Sequence, residues 1–495
     1  MCTSFVFGIS TLVTGAILVI ASAIVSFAVI PDVVENSIVN EVVLNNNTIQ
    51  MERFEEVPFP LNFTIRVFNI TNAVDVLNGA VPVLNEIGPY VYKLNTKRLV
   101  KDLLEDQVMY KKLDTFEFDA EASFPNTEDD IVHIGNIAYH GVLQIAEAGF
   151  SSAMSILNRA LPGIFGTHTE PIMQVRVGDL LLDGIKLCEN PDFFGTIACA
   201  LVRQFSVDVK NMEVQNDLTI NFSALGYRNG KPSEQYNVYR GLVNPVDLGR
   251  ITEYGARPHL PYWKTSSVCN MINGTDSGIF HPFVNKEQPL YSLNTDICRS
   301  VELRYQNDVE YKGVSAYRFT VNEWFLDNSD GCYCLNLTRG INRPDGCLYE
   351  GAMELYSCLG AFIVLSYPHF LYADQRYSSG VMGLSPVADD HRIYLDIEPN
   401  TGTVVRGAKR AQFNVFMRPV NGIANTEKLR TTLTPIFWVE ESFLLPNEYA
   451  EELNSRLLSP LKLIDILIPV ALVICSVVFL VGLVVSIWAR TKRSY

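Results

Sequence analysis

The sequence predicts an α+β protein in which a large, mainly antiparallel β domain with one helical segment lies between two transmembrane helices. Residues 1–30 and 466–489 contain no charged side chain. Each run is long enough to cross the roughly 30 Å hydrocarbon core of a bilayer, which takes about 20 helical residues. Between these runs, apolar and polar residues alternate in short stretches, which is the period of a β-strand.

Six N-glycosylation sequons lie between the two apolar runs. A sequon is used only in the secretory lumen, so we expect the middle of the chain to lie outside the cytosol. The expected topology is a cytosolic N-terminus (1–4), a span (5–30), an extracellular or lumenal ectodomain (31–465), a second span (466–489) and a cytosolic tail (490–495). The tail is basic, as the positive-inside rule requires. The sequon asparagines are Asn46, Asn62, Asn69, Asn221, Asn273 and Asn336.

A cleaved signal peptide is the alternative for the first apolar run. Ala21-Ser22-Ala23 resembles a small-residue cleavage site, and cleavage would leave a mature N-terminus near Ile24. However, no positive charge precedes the run, and the apolar residues continue to Ile30. We therefore expect a retained anchor.

The net charge limits the possible partners. The chain carries a formal charge of −15, and because the apolar runs are uncharged and the tail is basic, this acidity belongs to the expected ectodomain. Binding a polyanion relies on neutralising its phosphates with Lys and Arg. We therefore expect no nucleic-acid partner.

The cysteines indicate disulfides. Eight of the ten lie in the expected ectodomain, and an even number in a lumenal segment is typical of a disulfide framework. Cys332 and Cys334 are too close for the usual zinc-ligand pair, so we expect no metal site. Cys2 is a candidate for palmitoylation, with an unmodified thiol as the alternative. The eight cysteines are Cys188, Cys199, Cys269, Cys298, Cys332, Cys334, Cys347 and Cys358.

Alternation is clearest in three runs. Their apolar members are Phe63, Ile65 and Val67; Ile393, Leu395 and Ile397; and Phe413, Val415 and Met417. A period of two places one face of a strand in a core and the other in water or a lumen. Asp396, Gln412 and Asn414 are then predicted to lie on polar faces.

Residues 134–161 have a helical pattern instead. Apolar side chains recur there at three- and four-residue steps, and Gly149 is predicted to bend the helix or split it in two. Two interpretations remain open. The segment is either a buried helical hairpin or an exposed apolar cap that meets lipid or a partner.

The sequence carries no enzyme signature. It lacks a G-x-S-x-G elbow, a phosphate-binding glycine loop and an H-E-x-x-H pair, and its seven histidines form no metal-ligand pair. We expect no catalytic residues and no cofactor.

Several longer motifs follow one another along the chain. They are VPFPL (57–61), VFNITN (67–72), EIGPYVY (86–92), CNMINGTD (269–276), DICRS (296–300), YRF (317–319), CYC (332–334), PHFL (368–371) and YLDIEP (394–399). With these motifs in order, the chain resembles the class B scavenger receptor superfamily over nearly its whole length. VPFPL, and the LDG at 182–184 that leads into Cys188 and Cys199, are most similar to the insect sensory neuron membrane proteins. The lysosomal integral membrane proteins and the fatty-acid and lipoprotein scavenger receptors are the alternative branches.

The resemblance implies an antiparallel β-barrel-like core, a helical bundle at the membrane-distal apex and a largely apolar tunnel toward the membrane. Such a conduit suits long-chain lipids, since exposing each CH₂ to water costs about 0.8 kcal/mol. Residues 134–161 fall at the implied apex, which makes them candidates for ligand entry. The candidates are Leu143, Ala146, Phe150, Ala153, Leu157, Arg159 and Leu161.

The resemblance also implies three disulfides. It pairs Cys269 with Cys332, Cys298 with Cys358, and Cys334 with Cys347. Cys188 and Cys199 remain, and we predict a fourth bridge between them. The chain departs from the family pattern at the apex, where the lysine associated with fatty-acid contact has no clean counterpart.

The function implied is a plasma-membrane lipid receptor or conduit with both termini in the cytosol. It would capture long-chain apolar ligands, either fatty acids or fatty-acid-derived odorants or pheromones. It would pass them through the tunnel to the membrane or to a neighbouring olfactory receptor channel. The alternative is a protein-binding scavenger or lysosomal sorting receptor that acts through the apical helices, and structural adhesion is a third possibility.

Overall fold

The computed structural model describes residues 2–263, 268–329 and 331–492, with side chains from residue 6 onward. It has the predicted α+β class, with strands in the middle of the chain and a long apolar helix at each end. The strands are β1 (Leu61–Ile70), β2 (Leu84–Leu103), β3 (Gln107–Phe118), β4 (Ile131–Gly135), β5 (Ile172–Arg176), β6 (Ile185–Leu187), β7 (Met212–Val214), β8 (Ile220–Phe222), β9 (Pro232–Tyr239), β10 (Ile251–Tyr254), β11 (Leu290–Asn294), β12 (Arg299–Tyr311), β13 (Val314–Val321), β14 (Met353–Glu354), β15 (Val364–Ser366), β16 (Ile393–Ile397), β17 (Val404–Met417) and β18 (Thr432–Leu444).

Helices occupy both ends of the chain and form a cluster between β4 and β7. The α-helices are α1 (Cys2–Ile24), α2 (Ile30–Val42), α3 (Ile49–Glu55), α4 (Ala73–Leu77), α5 (Ala120–Ser123), α6 (Ile137–Gly149), α7 (Met154–Phe165), α8 (Phe193–Ser206), α9 (Tyr356–Leu359), α10 (Gln375–Ser378), α11 (Ala388–His391), α12 (Asn447–Leu453) and α13 (Ser459–Thr491). π-helical turns at Val25–Val29 and Asn454–Leu458 join α1 to α2 and α12 to α13.

A 13-stranded antiparallel sheet forms the core. Its strands run in the order β10-β9-β3-β2-β1-β18-β17-β16-β13-β12-β11, and β15 joins β17 from the side with β14 beyond it. β1 pairs with β18 near the middle of this path, so the first and last strands of the chain are neighbours.

The two edges of the sheet, β10 and β11, do not pair with each other among the described residues. A short segment lies between them instead. The Ile251 N–H of β10 donates to Gly274 O at 2.9 Å, and the Leu293 N–H of β11 donates to Thr275 O at 2.8 Å. The barrel-like core implied by the resemblance is therefore an open sheet whose edges meet through residues 274–275, and not a closed barrel.

The alternating runs lie in strands as predicted, but their polar faces are not solvated. Gln412 and Asn414 are buried, and their side chains form hydrogen bonds with Ser366 of the neighbouring strand β15. Gln412 accepts a hydrogen bond from the His369 N–H at 2.7 Å. Asp396 is also buried and lies 2.7 Å from the Arg318 guanidinium. The prediction of water or a lumen on these faces was wrong, since amide and charged partners satisfy them inside the fold.

The segment predicted to be helical contains two helices that are separated at Gly149, as expected. Residues 134–135 belong instead to β4, which pairs with β5, and α6 starts only at Ile137. The Asn136 side chain caps α6 by accepting the Tyr139 N–H at 3.1 Å, which satisfies one of the free donors of the first turn.

The terminal helices pack against each other and run in opposite directions. A Cβ added to Gly15 would lie 2.5 Å from Phe479 Cα, and one added to Gly482 would lie 2.3 Å from Leu12 N. The two helical runs, Val6–Val42 and Asn447–Thr491, are long and apolar enough to cross a membrane by length and composition. Each helical run extends beyond its uncharged residues. The first continues through the polar residues of α2 that follow Ile30, and in the second α13 already begins at Ser459.

Candidate functional site

A cavity of about 560 Å³ lies at the end of the sheet where the terminal helices arrive, and we call it the base cavity. Helical residues close one side of it; they are Ser37, Ile38 and Glu41 of α2, Gln50, Arg53 and Phe54 of α3, and Tyr449, Glu452, Leu453, Arg456 and Leu457 of α12 and the π-helical turn after it.

Strands form the other walls of the base cavity. Gly407 and Lys409 of β17, and Glu441 and Phe443 of β18, are alternate residues that point to the same face. Thr96 and Arg98 of β2 and Lys112 of β3 complete this face. The inward face of the sheet therefore carries charged as well as apolar side chains.

A second space, the inner cavity, adjoins the base cavity further into the sheet. Its volume is about 100 Å³. Four residues line both spaces, namely Ser277, Leu395, Lys409 and Glu441. The walls of the inner cavity are largely apolar and include Phe63, Val301, Leu303, Val321, Leu365, Phe413 and Val439.

Ion pairs surround the junction of the two cavities. We call these residues the polar belt; they are Arg98, Lys112, Asp114, Arg228, Asp276, Asp296, Lys409 and Glu441. Lys409 Nζ lies 2.7 Å from Glu441 Oε1, and Arg98 Nη2 lies 2.8 Å from Asp276 Oδ2. Burial opposes ionisation of Glu441, but the charges of Lys409, Lys112 and Arg228 outweigh it and lower the pKa of Glu441 to about 2. Glu441 is therefore ionised at neutral pH.

The belt cations differ in how closely they are paired. Arg228 lies 2.7 Å from Asp114 and 2.8 Å from Asp296. Lys112 lies farther from its partner, with 3.8 Å between its Nζ and Asp114 Oδ2. The carboxylate of Asp114 already accepts hydrogen bonds from Arg228 and, at 2.8 Å, from the Thr96 hydroxyl. Lys112 is thus the loosely paired cation of the base cavity.

An ion-pair cluster joins the helices that close the cavity. Arg53 Nη2 of α3 lies 2.7 Å from Glu452 Oε2 of α12, and Arg456 Nη1 lies 3.4 Å from Glu452 Oε1. The Arg53 guanidinium also lies 5.1 Å from the centre of the Tyr449 ring. These contacts hold α3 against α12 at the mouth of the base cavity.

A third space, the apical groove, lies among α6, α7 and α8 and has a volume of about 90 Å³. Of the ligand-entry candidates, Ala146, Phe150 and Leu157 line the groove. Leu143 and Leu161 are each only 1% exposed and belong to the main core. Ala153 is half-buried, Arg159 is exposed, and both lie outside the lining. The structure therefore brings together three of the seven predicted residues.

Sequence reasoning missed α8, which supplies the opposite wall of the groove. Its lining residues are Ala198, Leu201, Val202, Phe205 and Ser206. The Cys188–Cys199 disulfide ties this helix to β6, and Gly195 approaches Gly163 of α7 so closely that a Cβ would lie 2.7 Å from Gly163 Cα. The sequence did carry a signal for α8, because its apolar residues recur at three- and four-residue steps, which is typical of a helix with one apolar face.

Large apolar side chains of α8 face outward. Phe193 is 74% exposed and Ile197 is 54% exposed. Phe205 is also exposed and contacts the ring of Phe150 across the groove, with 6.3 Å between the ring centres. The cluster of α6, α7 and α8 thus presents apolar surface on α8 beside an apolar groove.

A thin wall separates the groove from the inner cavity. Gly360 lines the groove, whereas Asp296 lines the inner cavity. Between them lies Cys358, whose Sγ is 3.5 Å from Asp296 O. The two spaces share no lining residue in the described part of the chain.

Covalent features surround these spaces. The structure contains four disulfides: Cys188–Cys199, Cys269–Cys332, Cys298–Cys358 and Cys334–Cys347. The last three are the pairs that the resemblance implies, and the first is the bridge predicted for the two remaining cysteines. Of the sequon asparagines, Asn46, Asn62 and Asn336 are exposed, and Asn69, Asn221 and Asn273 are half-buried. The side chain of Cys2 lies outside the described residues.

Comparison with known proteins places the chain in a family. The model of the CD36 family matches residues 13–486. Sensory neuron membrane protein 2 of Drosophila melanogaster is 32% identical, with 88% of this chain and 89% of that protein covered. Sensory neuron membrane protein 1 of Pediculus humanus subsp. corporis is 33% identical, covering 84% of this chain and 80% of its own length. Sensory neuron membrane protein 1 of Bombyx mori is 30% identical, covering 89% and 84%. The chain belongs to the CD36 family.

Proposed function

We propose that this protein is a plasma-membrane receptor that captures long-chain apolar ligands at its apex and passes them through the interior of the sheet to the bilayer. The base cavity carries the proposal. It is of the size that encloses small-molecule ligands, and it is bounded by α2 and α12, which continue into the two terminal helices.

The rest of the molecule supports this route. An apolar groove lies at the helical end, and an apolar inner cavity adjoins the base cavity. Passage between groove and inner cavity requires the thin wall at Cys358 to open. Capture and release by partition need no covalent chemistry, so we propose a receptor and not an enzyme.

The membrane arrangement follows from the same proposal. α1 and α13 cross the bilayer, both termini are cytosolic, the sequon asparagines are glycosylated, and Cys2 is a palmitoylation site. Several relatives are named sensory neuron membrane proteins. We therefore propose a lipophilic odorant or fatty acid as the ligand, and an olfactory receptor channel as the neighbour that receives it.

The test measures transfer of two fluorescent long-chain probes, a fatty acid and its methyl ester, by the full chain in liposomes. Gln50 lines the base cavity from α3, so Gln50→Trp should abolish transfer of both probes while the amount of reconstituted protein is unchanged. Glu55 is exposed on the same helix and lies outside the lining, so Glu55→Trp is the matched control. Undiminished transfer by Gln50→Trp would overturn the conduit.

The exposed apolar face of α8 favours a second candidate, a protein-binding receptor that docks its partner at the apex. Phe193→Ser should then weaken partner capture and leave long-chain lipid binding intact. If Phe193→Ser weakens lipid capture instead, α8 serves the conduit.

A further inference from the structure

We infer that the base cavity selects uncharged, oxygen-bearing long-chain lipids, such as esters, over fatty-acid anions, and that Lys112 donates a hydrogen bond to the ligand oxygen. This inference rests on the proposed function and specifies the ligand class that the site takes.

The charge balance of the cavity is the first step. Five cationic side chains line it: Arg53, Arg98, Lys112, Lys409 and Arg456. Four carboxylates line it, namely Glu41, Asp276, Glu441 and Glu452. Behind them the polar belt adds one cation, Arg228, and its two partners Asp114 and Asp296. The six cationic side chains and six carboxylates therefore balance with no ligand present.

The second step is that these charges stay in place. The Arg98 guanidinium, together with Lys112, holds the pKa of the buried Asp276 carboxyl well below its usual range, although burial alone would raise it. The pKa of Asp114 is also lowered by Lys112 and Arg228 against the effect of burial. Glu441, Asp276 and Asp114 are therefore not available to take up a proton when an anion enters at neutral pH. A bound carboxylate would add an unpaired charge to a largely buried site, which is unfavourable.

The third step is the donor capacity of Lys112. An ammonium group offers three N–H donors, yet the ion pair of Lys112 with Asp114 is long, at 3.8 Å. Lys409, in contrast, lies 2.7 Å from its partner, and Arg98 donates to Asp276 through both Nε and Nη2. The Lys112 side chain is 21% exposed, into the cavity that it lines. A neutral ester or aldehyde oxygen accepts such a hydrogen bond without altering the net charge.

The fourth step is space for the chain of the ligand. Apolar side chains line the cavity beside the belt; they include Phe54, Phe59, Leu395, Phe443, Leu445 and Leu457. The mouth between α3 and α12 lies where the terminal helices begin. A lipid whose oxygen lies at Lys112 therefore has its chain along these walls.

The experiment compares three probes of matched chain length on the full chain in nanodiscs, with empty nanodiscs as the partition baseline. Methyl palmitate has an uncharged acceptor, palmitate an anion, and hexadecane no oxygen. We expect methyl palmitate to bind about tenfold more tightly than either other probe, which corresponds to one charge-assisted hydrogen bond. Equal or tighter binding of palmitate would overturn the inference and leave the proposed function standing. If none of the probes binds above the baseline, both fail.

Two variants sharpen the test. Lys112→Met keeps the aliphatic stem and should reduce binding of methyl palmitate to the level of hexadecane. Lys111→Met is the matched control, because the neighbouring residue of β3 points to the opposite face. Glu441→Gln leaves one cation in excess and should shift the preference toward palmitate. Unchanged preferences in both Lys112→Met and Glu441→Gln would contradict the role of the belt.

Discussion

The base cavity and the apical groove are built in opposite ways. Strands from distant parts of the chain wall the base cavity, and ion pairs span it. Helices close in sequence wall the groove, its surface is almost entirely apolar, and a disulfide secures one of them. The difference means that, under the proposed function, the open apolar groove would accept many lipids and the charged, balanced cavity would discriminate among their polar ends.

The largest effect on stability should come from removing Arg228, a cation of the polar belt. Arg228 pairs with Asp114 and Asp296, and its side chain is mostly buried. Arg228→Met leaves those carboxylates without their partner, so we expect a loss of about 3–5 kcal/mol in the free energy of unfolding of the full chain. Chemical denaturation in detergent measures this. Arg228→Lys should recover part of the loss, and a change below about 1 kcal/mol would show that the belt is not structural.

At the apex, the corresponding structural element is the Cys188–Cys199 bridge. Replacing both cysteines by Ser should lower stability by about 2–3 kcal/mol, since the bridge closes a short loop. Hydrogen exchange should rise in α8 and remain unchanged in β17 and β18. Equal increases at both ends would mean that the two regions unfold together.

Lowering the pH should destabilise the helices of the apical groove more than the residues around Glu441. Burial, with the charge of Arg418, lowers the pKa of His140 in α6 to about 4, against the effect of its hydrogen bond to Pro171 O. The unfolded chain therefore binds a proton that the folded chain does not. The stability from His140 is complete above about pH 6.5, falls as the pH drops, and is reduced by about 3 kcal/mol at pH 4.

The surroundings of Glu441 should not respond in this window, because the pKa of Glu441 is about 2. The part of β18 around Trp438 is left out of the comparison, since Trp438 packs against His391, whose pKa burial also lowers to about 4. Exchange in α6 should therefore increase between pH 6.5 and pH 4 while exchange of residues 440–443 stays constant. His140→Gln, which removes the titrating group, should flatten the response of α6. A response at residues 440–443 as large as that in α6 would contradict the contrast.

The smallest effect on stability should come from breaking the ion pair at the mouth of the base cavity. Arg53 and Glu452 are partly exposed, so Glu452→Gln should change the free energy of unfolding by less than about 1 kcal/mol. Ligand exchange by the base cavity should nevertheless become faster, which stopped-flow fluorescence measures. Asp308→Asn, which breaks an exposed ion pair with Lys286 outside the lining of all three spaces, is the control and should leave exchange unchanged.

Local pattern predicted much of the fold. The period-two runs around Ile65, Leu395 and Val415 lie in β1, β16 and β17, because alternation reflects one buried face whatever the topology. The split at Gly149 also agrees with the structure. The terminal helices could be predicted because an uncharged apolar run of that length is typical of a membrane-spanning helix.

The candidate site was much less visible. Arg98 and Asp276 are 178 residues apart in sequence, and no pattern in either neighbourhood indicates the other. The burial of Gln412 and Asn414 likewise depends on residues near His369 that fold over β17. In α6 and α7, period alone could not distinguish Leu143, which packs in the core, from Ala146, which lines the groove. Only the position of α8 decides between them.

The contact between the terminal helices couples their movements. Because Gly15 and Gly482 bring the two backbones together, a tilt of one helix should displace the other. Their continuations, α2 and α12, form the floor of the base cavity. In a bilayer, a change in thickness or curvature would act on both helices at once and reach that floor as a shared rotation. The membrane would then act on the protein mechanically, and lipid composition would change the width of the base cavity between α2 and α12.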